Sequence, residues 1–533
     1  MSRLPLLGDE AIAQGALDAG ISGIYAYPGT PSTEILEYVQ RSREVRSGRK
    51  VHCTWSSNEK TAMETALGMS YAGKRAMVCM KHVGLNVAAD PFLNSAITGA
   101  NGGLIIVAAD DPSMHSSQNE QDSRFYGNFA MIPMLEPSSQ QEAYEMTHYG
   151  FELSERNEIP VLLRITTRLA HSRAGVKVYQ SRAENDPKLP DNLRQFVLLP
   201  AIARKQYQLL LNKQTALEKE SEKAGWNAYT DGTDKSFGII VSGIALNYLN
   251  ECYSGSESPY PVLKIGQYPL PKILIERIVS ECKVTIVIEE GYPFIEEALR
   301  GLLNKSFKVK GRLDGTLPRT GELSPLLVAK ALGMPQPDLF PVPSVVAGRP
   351  PKLCPGCPHI DSFNALNEAL AEVSNGVSGN VMSDIGCYTL GALKPFESIN
   401  SCVDMGASIT MAKGISDAGI RPAVAVIGDS TFTHSGMTGL LDCVVNKTPV
   451  TIIILDNEAT AMTGGQISQA SGRLEDICKG IGVEEEHIII LNPLRKHHST
   501  NVGIIKQELN YEGVSVIIPR RECIVTLAQK KKK

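Results

Sequence analysis

Short apolar runs alternate with amphipathic stretches over most of the chain. The runs at 23–27, 76–80 and 104–109 are continuously apolar, the pattern of strands covered on both faces in a parallel sheet. The first ends at Pro28-Gly29-Thr30-Pro31, and Ser32-Thr33-Glu34 then opens an amphipathic helix. Strands separated by helices predict α/β layers over residues 1–190. Residues 191–236 are charged and strand-poor, with one helix predicted over 192–223, and read as a connector. Strands predicted at 238–241 and 284–289, with a helix at 244–253, mark a smaller α/β unit over 237–334. Eight prolines from Pro335 to Pro358 predict an extended crossing, because proline has a fixed φ and no amide donor. The α/β rhythm returns over 359–533, with strands predicted at 381–382, 423–427, 450–455, 488–491 and 514–518. No short-period repeat is present, but the first and last regions are compatible with two copies of one sheet type.

Composition narrows the class without choosing a chemistry. At 533 residues the chain has room for about three to five domains. Its 53 basic and 57 acidic side chains leave a formal charge of −4, against a nucleic-acid binder that works by neutralising phosphates. The basic run Lys530 to Lys533 reads as a solvated tail. Hydrophobic residues at 43% and charged residues at 21% fit a globular chain. No apolar stretch reaches the roughly 18 residues of a membrane span, and Asp9 and Glu10 stand where a secretory peptide has its apolar region. The expected location is therefore the cytoplasm.

In a reducing compartment the eleven cysteines are core filler, metal ligands or reactive thiols. Cys53, Cys79, Cys252, Cys282, Cys402, Cys443 and Cys478 lie alone and read as buried filler. Cys354 and Cys357 form Cys-x-x-Cys in the proline-rich crossing, a spacing that suits a zinc ion, a cluster or a thiol redox pair. Cys387, 30 positions on, is a candidate third ligand, and Cys523, after the strand at 514–518, a candidate fourth.

The strongest local motif is Gly428-Asp429-Ser430, directly after one predicted strand, followed by Asn457 after the next. In open parallel sheets ligands gather beyond the carboxyl ends of strands. Asp429 and Asn457 offer the oxygen donors that Mg²⁺ prefers, and Gly428 with a following helix N-terminus suits a diphosphate. Gly-Asp-Ser alone also fits a plain strand-end turn; the second strand end with Asn457 favours a metal-diphosphate site.

This signature resembles the Gly-Asp-Gly…Asn motif of thiamine diphosphate enzymes, with Ser430 replacing the usual second glycine. Tyr27-Pro28-Gly29-Thr30-Pro31-Ser32, Asn58-Glu59-Lys60, Lys81-His82-Val83-Gly84-Leu85-Asn86, Asp110-Asp111-Pro112 and Cys354-Pro355-Gly356-Cys357-Pro358-His359 extend the likeness over nearly the whole chain. Together they resemble the α subunit of the indolepyruvate:ferredoxin oxidoreductase family. That resemblance implies a multidomain thiamine diphosphate-binding α/β fold, with two related open parallel-sheet domains and a smaller transketolase-C-terminal-like domain. The expected divisions are a pyrimidine-binding domain at 1–190, a connector at 191–236, the smaller domain at 237–334, the crossing at 335–358 and a diphosphate-binding domain at 359–533.

The resemblance also assigns expected roles. Asp429, Asn457 and the main-chain carbonyl of Ala459 would hold Mg²⁺ on the cofactor diphosphate. Glu59 would activate the aminopyrimidine, although by itself it reads as a solvated helix-start glutamate. Thr30 would touch substrate and cofactor, and Lys81 and His82 would serve as acid or carboxylate anchor; turn or helix-entry roles suit all three equally. Pro28, Gly29, Asn86, Asp384, Gly386, Gly428, Ser430 and Met462 complete the expected cofactor contacts. Cys354, Cys357, Cys387 and Cys523 would ligate a 4Fe–4S cluster, with zinc as the lesser rival. No role is assigned within the polar stretch 115–122.

The implied reaction is oxidative decarboxylation of an aryl 2-oxoacid with coenzyme A, electrons leaving through the cluster to ferredoxin or a like carrier. A smaller β subunit would complete a heterotetramer or larger assembly. Family α subunits continue into a ferredoxin-like domain with repeated Cys-x-x-Cys; no such run follows Cys523, so a separate subunit is expected to supply it if it exists. Two alternatives stay open: a non-oxidative thiamine diphosphate-dependent decarboxylase or synthase, and a non-catalytic electron-transfer or scaffold subunit.

Overall fold

The computed structural model describes residues 3–190, 192–253, 256–302, 308–335, 340–348, 352–373, 380–402 and 404–531. The chain divides into two compact units, Met1–Phe340 and Pro341–Lys533.

In the first unit a seven-stranded sheet runs in the order Gln267–Tyr268, Met134–Leu135, Val161–Thr166, Leu104–Asp110, Ala76–Lys81, Gly23–Ala26, His52–Trp55. Every neighbouring pair is parallel except the edge pair of Gln267–Tyr268 with Met134–Leu135. Every residue of Ala76–Lys81 and Leu104–Asp110 is buried, as expected of unbroken apolar strands covered on both faces. A second sheet of the same unit has the order Val309–Lys310, Val284–Ile288, Phe237–Ser242, Val262–Ile265, Ala228–Thr230, parallel apart from its last pair. Gln267–Tyr268 lies in sequence between two strands of that sheet, Val262–Ile265 and Val284–Ile288, yet pairs with the first sheet, so the two are stitched by backbone hydrogen bonds.

The predicted helix over 192–223 begins at Pro200, and a separate 3₁₀ turn occupies Leu193–Phe196. The physical reason is Pro200 itself. Its missing amide and fixed φ fit the first helical turn and cannot sit inside a helix.

The second unit contains a five-stranded parallel sheet in the order Val381–Ser383, Val424–Gly428, Val450–Leu455, Val514–Pro519, Ile488–Leu491. A short hairpin pairs Ala459–Thr460 with Gln466–Ile467. The proline-rich crossing is irregular and exposed over 340–348; its residues 336–339 and 349–351 lie outside the described set, as do Lys532 and Lys533 of the basic tail. Among the described residues no helix is long and apolar enough to cross a membrane.

The filler reading of the lone cysteines needs correction. Cys79, Cys443 and Cys478 are buried, but Cys53, Cys252 and Cys282 are only partly covered and Cys402 is exposed. An apolar neighbourhood in sequence does not decide which face of an element looks inward.

Candidate active site and ion-binding residues

In the first unit the candidate residues gather at the carboxyl ends of the Gly23–Ala26, Ala76–Lys81 and Leu104–Asp110 strands. The turn after the first is tied by Ser32 Oγ donating to the Gly29 carbonyl (2.8 Å) and the Gly29 amide donating to Thr33 Oγ1 (3.1 Å). Pro28 is buried, and Gly29 and Thr30 are half-buried. Ser116 Oγ donates to the Thr30 carbonyl at 3.3 Å, and Lys81 Nζ donates to the Ser116 carbonyl at 2.6 Å. Ser116 thus links Thr30 to Lys81.

Glu59 opens the Glu59–Tyr71 helix, whose N-cap Asn58 accepts from the Thr61 amide at 2.9 Å. It is only 6% exposed, not the solvated residue its position suggests. Its carboxylate lies against Gly84: a Cβ there would meet Glu59 Oε1 at 2.5 Å, so this approach requires glycine. Burial lowers the Lys81 ammonium to about 8, with the neighbouring Asp111 and Glu59 carboxylates opposing that fall. His82 is buried, and its Nδ1 accepts from the Asp111 amide at 3.2 Å. Its buried Nε2 has no hydrogen-bond partner. Asn86 is engaged elsewhere: it is exposed, accepts from the Tyr126 hydroxyl at 2.7 Å, and lines a cavity of about 520 Å³ with Phe125, Tyr292 and Arg319.

Below these groups lies an ion network that sequence reasoning missed. Arg164 Nε meets Asp110 at 2.6 Å, its Nη1 meets Glu136 at 2.5 Å, and its Nη2 meets Asp122 at 3.4 Å. Arg124 joins Asp122 at 2.5 Å and Glu289 at 2.9 Å. Both guanidinium groups are fully buried. Burial lifts Glu289 to about 7 despite Arg124, whereas the two arginines outweigh burial at Asp122 and hold it at about 2. The signal was a charge inside an otherwise apolar strand, Val161-Leu162-Leu163-Arg164-Ile165. Asp122 ends the polar stretch given no role, and the network now supplies one.

In the second unit Asp384 follows the Val381–Ser383 strand with no exposure, and its Oδ2 accepts the Gly406 and Ser408 amides at 3.2 and 3.1 Å. Burial raises it to about 6 although Ser408 and Tyr388 donate to it. The Tyr388 ring occupies the space over two glycines. A Cβ would lie 2.2 Å from it at Gly386 and 2.6 Å at Gly428.

Asp429 begins a short helical turn after Val424–Gly428, and Asn457 follows Val450–Leu455, two strands that are direct parallel neighbours. Burial, with Asp456 beside it, raises Asp429 to about 7, and its buried Oδ2 has no hydrogen-bond partner. A buried carboxylate oxygen without a donor is the position a bound cation would satisfy. Ser430 Oγ lies 2.9 Å from Thr460 Oγ1. The Ala459 amide donates to Asn457 Oδ1 at 3.1 Å, and Met462 is exposed.

Asn457 also joins the cysteine-bearing segments. Its amide nitrogen is 3.3 Å from His359 Nε2, two residues beyond Cys357, and its carbonyl accepts the Cys523 amide at 3.1 Å. Burial drops His359 to about 4, so the imidazole is neutral and able to accept from the amide. Burial pushes the Cys387 thiol up to about 12, with Cys357, Cys523 and Cys354 acting in the same direction. Burial likewise takes Cys357 to about 11, with Cys354 and Cys523 adding to it. Cys357 and Cys387 therefore each lie within electrostatic reach of the other three thiols. No three of these sulfurs are mutually within 4.8 Å.

Residues 14–225 match the family described as pyruvate flavodoxin/ferredoxin oxidoreductase, thiamine diphosphate-binding, and residues 384–480 match the thiamine pyrophosphate enzyme C-terminal binding domain. The chain therefore carries two thiamine diphosphate-binding domains. It is 40% identical to the indolepyruvate oxidoreductase subunit IorA of Archaeoglobus fulgidus over 98% of this chain and 86% of that protein. The same subunit of Methanothermobacter thermautotrophicus is 37% identical over 98% and 87%. A solved 2-oxoglutarate:ferredoxin oxidoreductase of Magnetococcus marinus aligns with TM-score 0.49 and 16% identity, over 62% of this chain and 65% of that one.

Proposed function

This chain belongs to the indolepyruvate oxidoreductase subunit IorA family, within the thiamine diphosphate-dependent 2-oxoacid oxidoreductases, and from that membership we propose that it is the catalytic α subunit of an aryl 2-oxoacid:ferredoxin oxidoreductase. It takes an indolepyruvate-like substrate and coenzyme A to acyl-CoA and CO₂ in the cytoplasm. Electrons pass through a 4Fe–4S cluster to ferredoxin or a like carrier, and a smaller β subunit completes the enzyme.

Thiamine diphosphate, when bound, supplies the electron sink that an α-keto carboxylate lacks. Glu59 would stand against the aminopyrimidine ring nitrogen, its carboxyl sharing a proton with that nitrogen, and Pro28, Gly29 and Thr30 would form the turn beside it. Lys81 and His82 face the substrate, the ammonium holding a carboxylate and the Nε2 side of His82 handling a proton. Asp429, Asn457 and the Ala459 carbonyl bind Mg²⁺ at the diphosphate end, with Gly428 and Ser430 shaping the turn.

The observation that carries the redox part is Asn457. One residue touches the loop of Cys523 through its carbonyl and the helix following Cys357 through its amide, which ties the Asp429–Asn457 motif to two of the four cysteine-bearing segments. Cys₄ ligation is the rule for such clusters.

Anaerobic purification with iron, sulfide and thiamine diphosphate counted per chain tests this reading. About four irons per native chain are expected, falling in Cys523→Ala; unchanged iron in that variant would remove Cys523 from the ligand set. A colourless, iron-free protein with full decarboxylase activity would favour the non-oxidative alternative. His359→Ala, which frees the Asn457 amide, should weaken Mg²⁺-thiamine diphosphate binding about 10–100-fold. Equilibrium dialysis reads that directly, and His359→Gln, which restores an acceptor, should recover part of it.

A further inference from the structure

A second ion-binding constellation lies in the first unit, formed by Asp9, Glu34 and His171. Their ligand atoms all lie within 4.8 Å of one another. Asp9 is fully buried, and neither of its carboxylate oxygens has a hydrogen-bond partner. Glu34 Oε2 is likewise without one, its nearest charge partner being His171 Nε2 at 3.6 Å. An orphaned carboxylate with no exposure is costly unless a cation or a proton satisfies it. Burial, aided by Glu34 and Glu10, raises the Asp9 carboxyl well above its ordinary range. Arg173, the nearby guanidinium, is committed to Glu10 at 2.9 Å and to the Pro5 carbonyl.

The fold builds this constellation on purpose-made contacts. Asp9 sits in the first turn of the Gly8–Asp18 helix, Glu34 in the first turn of Thr33–Arg41, and His171 ends Thr167–His171. The first helix packs against both others. A Cβ at Gly8 would lie 2.2 Å from the Leu169 carbonyl oxygen, so only glycine lets this helix start approach the backbone leading to His171.

We propose that Asp9, Glu34 and His171 bind a divalent transition-metal ion, zinc in the first instance, that pins these three helix ends together. One imidazole and two carboxylates form a mixed nitrogen and oxygen set, which suits zinc or manganese better than magnesium or calcium. Donors bound near 2.1 Å to one ion lie up to about 4.2 Å apart, within small side-chain rotations of the present arrangement. His171 and Glu34 are about one-third exposed, so ions can enter and water can complete the shell.

The test uses the full chain with its partner subunit, stripped with EDTA and dialysed against zinc while Mg²⁺ and thiamine diphosphate are present. Asp9→Asn and His171→Ala should each bind one zinc fewer per chain than wild type, and Cys523→Ala should keep this zinc. X-ray absorption at the zinc edge should show a shell of nitrogen and oxygen near 2.0–2.1 Å and no sulfur at 2.3 Å. Zinc should raise the melting temperature of wild type and leave Asp9→Asn unmoved. Equal zinc in wild type and both variants, no zinc in wild type, or a sulfur-only shell would each overturn the proposal. Should Asp9→Asn fail to fold, the partly exposed His171→Ala gives the same reading.

Discussion

Replacing Glu59 with glutamine is expected to lower 2-oxoacid turnover about 10²–10⁴-fold, the usual range for losing a positioned proton-transfer partner. The substitution keeps shape and size, so the melting temperature should barely move. Cofactor affinity should fall far less than turnover, because Asp429 and Asn457 are untouched. Steady-state kinetics and thermal melting together separate these effects, and unimpaired turnover would remove Glu59 from the catalytic set.

A second readout follows from electrostatics. Lys81 titrates near 8 because burial outweighs the help of Asp111 and Glu59. Without the Glu59 charge its pKa must fall further, so substrate capture should begin to fail at a lower pH than in wild type. Gly84→Ala reaches the same carboxylate from the other side, since the added methyl would collide with Glu59 Oε1. It should lower turnover while leaving the Lys81 titration closer to wild type.

The largest expected effect on stability is at Arg164. Arg164→Met leaves Asp110 buried without its cation, and Asp122 and Glu136 with Arg124 alone. Breaking a buried pair in this way costs about 3–5 kcal/mol. Arg164→Lys should recover little, because an ammonium cannot reproduce the planar fork that serves several carboxylates. The sign of the pH dependence is also fixed. Carboxylates raised above their unfolded values stabilise the fold below that unfolded pKa and lose this contribution as pH rises through the folded one. Glu289, at about 7, already behaves so, and stability carried by it should decline between about pH 4.5 and 7. In Arg164→Met the decline should steepen, and melting at pH 5 and pH 8 would show it. A variant as stable as wild type at both pH values would mean that the network contributes nothing.

Much of the scaffold was legible in the sequence because a strand buried on both faces writes itself as an unbroken apolar run. The strands at 23–26, 76–81, 104–110, 424–428 and 450–455 begin and end within a residue or two of their expected places. The helix start at Pro200 was missed although proline is itself a boundary signal. Glu59 was legible only through likeness, since nothing local says that Gly84 packs on its carboxylate and buries it. Gly428 was read as suiting a diphosphate, and the structure adds a packing reason for glycine there, since the Tyr388 ring fills the space a Cβ would take.

The sequence by itself determined which residues stand at strand ends, hence the donor chemistry of Asp429 and Asn457. That information is local: a strand, its turn and the next helix are contiguous. In the second unit, convergence across distance was decided by sheet order. Val450–Leu455 pairs with Val514–Pro519 on one side and Val424–Gly428 on the other, while Ile488–Leu491 is displaced to the edge. That order brings the Cys523 amide to the Asn457 carbonyl, across 66 positions of sequence. Asp9 and His171 meet because the strands beside them, Arg3–Leu7 and Arg173–Lys177, pair antiparallel, and Arg124 meets Glu289 where elements of two different sheets pack together. Spacing specifies neighbours within an element, but only the pairing of elements buries charges together and makes them depend on one another.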